Sequence, residues 1–393
     1  MTATVPIPAY EHLFLPAPAW LLVALSTFTF WLHLLLVGTV VGSLIYLFLT
    51  TLVRHNELDR RLNGRLLKVL PVCVSLTITF GVAPLLFTQA LYGHYFYSAN
   101  ILIGNFWLGS LGFLLVGFIS LYLAARFSCN ICKFGFIAVV LGCFGAVLYI
   151  FTHNAILSLH PEYWLEFHRG ARLLHVRDAT ALPRLAHNVG ATFVISGLAL
   201  AWIGRYRWPT GGEFSPQQRI EHATRTGLSW TLLGLMLQIA FGLWFVLSLP
   251  GEIRKSLINF SGVTSIAWYA GLLFVVLNIF TSMKGIINPG AKKWLIFSTI
   301  LPLLGLVGML LARQYLRSAY LVRPAAGGFD VNKWTVESQT QPMLIFALAL
   351  TAALLVIIIM LVGVLLSGRT SKNAVAVPIE PRSQPPQTTN GGI

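Results

Sequence analysis

WLLVALSTFTFWLHLLLVGTVVGSLIYLFLTTLV, residues 20–53, runs from Trp20 to Val53 without a single Asp, Glu, Lys or Arg. About 20 helical residues cross the roughly 30 Å hydrocarbon core of a bilayer. This run is therefore long enough to span and to project beyond one side. Working outward, eight further apolar runs follow, at 69–92, 106–125, 134–156, 184–204, 227–249, 262–283, 294–312 and 343–367. The chain is 56% hydrophobic and only 10% charged, which excludes a water-soluble globular protein. The expected fold is all-α: a polytopic membrane helix bundle with about nine transmembrane helices, a single unit over residues 1–367. Residues 368–393, polar and rich in Pro, Ser, Thr and Asn, read as a disordered cytoplasmic tail.

The net charge of +15 is a topology signal, with no nucleic-acid partner expected. With nine spans, alternate connections share a side. Those at 54–68, 126–133, 205–225 and 284–293, with the tail, hold 17 Lys and Arg, against 10 on the other side and none in the first 53 residues. The positive-inside rule puts the N-terminus outside and the C-terminus in the cytoplasm. No basic region precedes the first run, so it is expected to serve as an uncleaved anchor.

None of the 12 acidic residues falls inside an apolar run, whereas several of the ten histidines do. Intramembrane carboxylates mark proton relays and ion pathways, because an ionisable acid is costly there. Histidines without acids point to an electron carrier holding metal or haem, and away from a proton pump. His33 lies inside the first span, where an unpaired imidazole is expensive. His94 follows the second span, His153 ends the fourth and His187 opens the fifth, all toward the outer side. Neutral imidazole is the usual axial ligand of b-type haem, and ligands in a bundle project inward from different helices. Each of the four also suits an interfacial side chain bonded to backbone or headgroup.

Other features are read more plainly. Arg313 and Gln314 close the eighth span with Arg184 nearby, and Arg suits the carboxylates of haem propionates or a lipid headgroup. Gly38 and Gly42 form a GxxxG motif that favours close helix packing. The 157–183 connection mixes Trp164, Phe167, Leu173, Leu174 and Val176 with charges, as in a segment lying on the outer membrane surface. His160, His168 and His175 are expected there on a solvated face. Residues 313–342 read as an ordered outer flap. Cys73 and Cys143 are expected to be packing residues. Cys129 and Cys132 form an isolated CxxC followed by Lys133, so the signature of covalent c-type haem is absent and zinc lacks its four ligands.

At these residues the chain resembles subunit I of the cytochrome bd quinol oxidase family. RLAHNVGATFVISGLALAWIG (184–204) is similar to the segment carrying a b-haem histidine, matched by His187. LSTFTFWLHLLLVGTVVG (25–42) resembles the first helix, where His33 matches the histidine of the oxygen-reducing haem region. ITFGVAPLLFTQALYGHYFY (78–97) resembles the second helix. LARQYLRSAYL (311–321) is a degraded Gly-Arg-Gln-Pro-Trp motif that keeps Arg313 and Gln314. The chain departs from the family in four places. Residues 106–125 carry no glutamate, and Leu310 stands at the haem-ligating glutamate. No methionine lies near 265–276, and the quinol loop has shrunk to about 250–261.

The resemblance therefore implies a cytochrome b-like subunit of a respiratory complex in the prokaryotic cytoplasmic (inner) membrane, with the oxygen-reducing apparatus lost. It implies haem b, two or more, with quinone as a further ligand. Other membrane subunits and a periplasmic c-type cytochrome or iron–sulfur protein are the implied partners. His153 or His94 is expected to replace the missing methionine opposite His187. Gln89 and Asn154 suit hydrogen bonds to quinone or an imidazole, and Glu252 and Lys255 mark either a relic quinol site or a solvated loop. The alternatives are a divergent terminal oxidase and a haem-free anchor or transporter.

Overall fold

The computed structural model describes residues 14–51, 53, 57–169, 174–206, 214–259 and 263–373. His12, His55, Leu173 and the tail from residue 374 lie outside the described residues. The helices are α1 (Ala19–Thr51), α2 (Glu57–Leu102), α3 (Gly104–Arg126), α4 (Asn130–Leu157), α5 (Trp164–His168), α6 (Ala181–Tyr206), α7 (Pro216–Ser248), α8 (Gly251–Ile258), α9 (Val263–Ile287), α10 (Lys292–Leu321) and α11 (Thr340–Asn373). Among the described residues there is no strand, only an isolated bridge between Leu15 and Val336. Eight helices, α1–α4, α6, α7, α9 and α10, are long and apolar enough to cross a membrane, as expected of a multi-pass bundle. The ninth expected span falls on α11, which begins a second compact unit at Thr340 and continues to Asn373, past the expected end at 367.

Every expected span falls on a helix, with the first ending at Thr51 instead of 53 and the sixth at Ser248 instead of 249, and several helices run further for identifiable reasons. α7 starts at Pro216 instead of 227 because Ser215 and Gln218 close a reciprocal capping box, with hydrogen bonds of 3.2 and 2.8 Å. His222, in this polar extension, reaches Asp59 of α2 at 2.7 Å. α2 continues beyond the expected end at 92. Tyr92 is a kink (φ −136°, ψ 28°), after which the helix resumes to Leu102. His94 is thus inside a helix, two residues past a bend.

Exposed apolar side chains are spaced for lipid. Leu115, Ile119 and Tyr122 of α3 are each at least 50% exposed and recur at helical intervals. In water they would form a costly patch, whereas acyl chains solvate them. Inside the bundle, small residues let backbones touch. A Cβ on Gly42 would run into the Thr192 carbonyl oxygen and the Ser196 hydroxyl, so the GxxxG motif packs α1 on α6. A Cβ on Gly227 would lie 2.6 Å from the Ala201 nitrogen, and one on Gly234 would lie 2.6 Å from the Val194 nitrogen, so α6 and α7 meet backbone to backbone. Trp230 of α7 donates to Ser196 at 3.0 Å and stacks on Phe193 at 4.6 Å, which satisfies its indole N–H inside the bundle.

The 157–183 connection corrects an expectation. Trp164, Phe167, Leu174 and Val176 are buried in protein and do not lie on the membrane surface. Trp164 donates to the Leu157 carbonyl at 2.9 Å, and Tyr149 donates to that of Leu174 at 2.7 Å. These two bonds tie the connection to α4. The flap is ordered as expected. Two 3-10 turns, Pro324–Ala326 and Val331–Lys333, follow α10, and Tyr95 of α2 donates to the Ala326 carbonyl at 2.6 Å.

Candidate cofactor cavity

Between the helices of the first unit lies a cavity of about 2000 Å³. Small-molecule sites usually measure about 300–1,000 Å³, so this one has room for a large ligand or more than one. Its wall is mostly Leu, Val, Ile and Phe, with a few polar side chains set into it.

His33 and His187 both line it. His33 projects from α1, and its Nδ1 lies 3.0 Å from the Thr77 carbonyl oxygen of α2. That bond fixes the ring and assigns the proton to Nδ1, leaving Nε2 as the lone-pair nitrogen, the arrangement of an anchored metal-binding imidazole. Gly81, one turn on, makes room, since a Cβ there would be 2.9 Å from the ring. On the opposite pair of helices, His187 of α6 is set against Gly242 of α7, where a Cβ would be 3.2 Å from its ring. Gln238 of α7 donates to the His187 carbonyl at 2.6 Å and holds this turn in place. The Nδ1 of His187 is buried without a hydrogen-bond partner, which costs roughly 1–3 kcal/mol unless a ligand takes it up.

Four arginines line it: Arg254, which donates to the Leu247 carbonyl at 2.8 Å, and a set of three, Arg184, Arg313 and Arg317. They are close enough to repel one another. Each guanidinium lies over an aromatic ring, Phe245, Phe30 and Tyr92 respectively, at 5.0, 4.6 and 4.6 Å. Among the described residues none of the three forms an ion pair. Arg184 donates to Thr180 at 3.0 Å and is influenced by Asp178, whereas no acid offsets Arg313 and Arg317. An unpaired buried charge is expensive by several kcal/mol. Guanidiniums without an acid to offset them thus stand in a mostly aliphatic wall.

The other sequence candidates divide. Gln89 and Asn154 line the cavity. His153, His94 and Gln314 do not. His153 is 1% exposed, with Nδ1 at 2.9 Å from the Tyr149 carbonyl and its ring against Tyr149 and His175. His94 packs edge-on to Tyr95 and Trp164. Gln314 is buried beside the wall. The structure therefore does not bring His153 or His94 to the cavity as the partner of His187. Glu252 and Lys255 are exposed on α8 while Ile253 and Leu257 are buried, so these charges are solvated.

Two features escaped the sequence reading. Met309 of α10 lines the cavity and offers a thioether, a haem ligand in some cytochromes. Its signal was a methionine next to Leu310, in a span otherwise searched only for glutamate. His160, expected on a solvated face, is 4% exposed and held between two carboxylates, Glu162 at 2.8 Å and Asp178 at 3.4 Å. Asp178 in turn accepts from Thr180, the hydrogen-bond partner of Arg184. A polar chain thus leads from Glu162 at the surface to the cavity wall.

Burial raises the Glu162 carboxyl, but its contacts with His160, backed by Arg323, outweigh this and leave it below the ordinary carboxylate range. Its stabilising contribution is therefore complete above the ordinary Glu value and fades as pH falls through the lowered one. Glu162→Gln is expected to lower the melting temperature at about pH 7, with the deficit shrinking toward about pH 3. Thermal melts of the detergent-purified chain across that range check it, and a pH-independent deficit refutes the electrostatic origin.

Among the described residues no group of three or more His, Cys, Asp or Glu could hold a bare metal ion; the cavity offers separate imidazoles, a thioether and guanidiniums. Against known proteins, the sequence matches no family model and no curated relative, and the site stands on its own geometry.

Proposed function

We propose that the chain is a cytochrome b-like membrane subunit that holds haem b in this cavity and passes electrons between quinone and a redox partner at the outer face. The observation that carries it is the convergence of His33 and His187, from separate helices and each facing a glycine, on one apolar cavity with four arginines and no acid. A porphyrin is a flat apolar body with two carboxylates, and the wall fits that description. His33 and His187 would supply axial nitrogens, with Met309 as a further donor. Arg313 and Arg317 would hold the propionates. When bound, haem supplies reversible one-electron transfer. The protein's own part is to fix the imidazoles through Thr77 and Gln238 and to keep water out with its aliphatic wall. Gln89 and Asn154 are placed to hydrogen-bond a quinone.

In this reading nine spans place the N-terminus outside and the C-terminus in the cytoplasm of a prokaryotic inner membrane, as the charge distribution requires. A periplasmic c-type cytochrome or iron–sulfur protein would dock outside. The test is a pyridine haemochrome assay on the purified chain, expected to give at least one haem b per chain. Absence of any haem, with protein that is folded by thermal melt, sinks the reading. The cavity's size and unpaired guanidiniums favour one second reading, a haem-free carrier of an anionic amphiphile, and a haemochrome-negative, lipid-retaining preparation would select it.

A further inference from the structure

The CxxC of the α3–α4 turn has a geometry that the sequence did not reveal. Cys129 stands at the N-cap of α4, a helix running to Leu157, and Cys132 stands in its first turn. Both side chains are exposed and both thiols are free, and their three-residue spacing at the helix start puts them on one face. Cys73 is half-buried and Cys143 is buried, so the exposed pair is chemically distinct from the other two. The backbone N–H groups of Cys132 and Ile131 at the helix start, the neighbouring Cys132 thiol and the positive charge of Lys133 hold the Cys129 thiol below the usual range. A thiolate at a helix N-terminus next to a basic side chain is the nucleophilic form of cysteine, and a second thiol on the same face is positioned to resolve a mixed disulfide.

We propose that Cys129 and Cys132 form a thiol–disulfide exchange site at the end of the bundle, acting on disulfides with acidic surroundings, with Cys129 attacking and Cys132 resolving. The Cys129 thiolate attacks one sulfur of the substrate disulfide; a Cys129–substrate bond forms and one substrate thiolate leaves. The Cys132 thiolate then attacks Cys129 and releases the second substrate thiolate. The substrate gains two electrons and the two protons given up by the cysteines, and the chain is left with a Cys129–Cys132 disulfide. The site does not depend on haem in the cavity.

Glutathione disulfide, a small anionic disulfide, is the probe. The full-length chain in detergent is equilibrated in glutathione redox buffers, quenched in acid and scored by maleimide mass tagging. The expected result is one two-electron transition of the Cys129–Cys132 pair, with Cys73 and Cys143 unchanged. Cys132→Ser should trap a glutathionyl adduct on Cys129, visible by mass. In the reduced native protein Cys129 should alkylate about tenfold faster than Cys132 at neutral pH. Independent titration of the two thiols, or equal trapping in Cys129→Ser and Cys132→Ser, overturns the proposal. Because both residues are exposed, neither serine variant should disturb folding, and a thermal melt of each confirms that the comparison is valid.

Discussion

His187→Ala is expected to remove one equivalent of haem b from the purified chain, along with any near-infrared magnetic dichroism band of histidine ligation. The reason is local. His187 is presented to the cavity by a turn that Gln238 fixes through a 2.6 Å hydrogen bond, and its Nδ1 has no protein partner. An imidazole whose Nδ1 has no partner loses little protein bonding on deletion, so the change should cost the fold little while removing an axial bond to iron. His33→Ala should behave in the same way, with an additional small penalty from the lost bond to the Thr77 carbonyl. Exposed His168 serves as the control, and His168→Ala should retain full haem. Gly242→Val gives a subtler version: a side chain at 3.2 Å from the ring displaces it without removing it. A shifted absorbance maximum with retained haem is expected there. Unchanged spectra in both His33→Ala and His187→Ala would mean that these histidines bind no iron.

Gly227→Leu should be the most damaging single change outside the cavity. The Cβ alone would stand 2.6 Å from the Ala201 nitrogen, and backbone cannot yield as a flexible side chain does. Overpacking a well-fitted core costs about 1–3 kcal/mol and more where backbones must separate. Prying α6 from α7 would also break the Trp230–Ser196 bond and the Phe193–Trp230 stack, and would move His187 and Gly242 apart. The expected outcome is a drop of many degrees in melting temperature, with haem lost in parallel, measured by thermal shift and haemochrome on the same preparation. Gly64→Leu, at a position with open space around it, should be tolerated. Equal stability of the two variants would show that α6 and α7 do not meet as described.

How much could be read beforehand depended on the kind of signal. The spans were legible because an apolar run without charge has one stable home, and each of the nine fell on a helix. Their ends were less so: α7 gains eleven residues from a polar capping box, and the Tyr92 kink looks like a terminus in the sequence. His33 was legible because an imidazole inside an apolar run calls for a reason, and His187 because its segment resembles a haem-binding one. His153 and His160 were misplaced because burial at a helix end depends on which loop folds back over it. The 157–183 loop folds back with its tryptophan and valine inward. Met309 was invisible for a different reason: a methionine in a hydrophobic helix carries no contrast, and only the cavity beside it sets it apart.

The unpaired guanidiniums of Arg313 and Arg317 bear on biogenesis. Two like charges with no acid to offset them repel, so on the proposed reading binding an anionic ligand and completing the fold would be a single linked equilibrium. Supply of the occupant should then govern how much of the chain survives quality control in the cell. A starved cell would degrade it instead of storing an empty form.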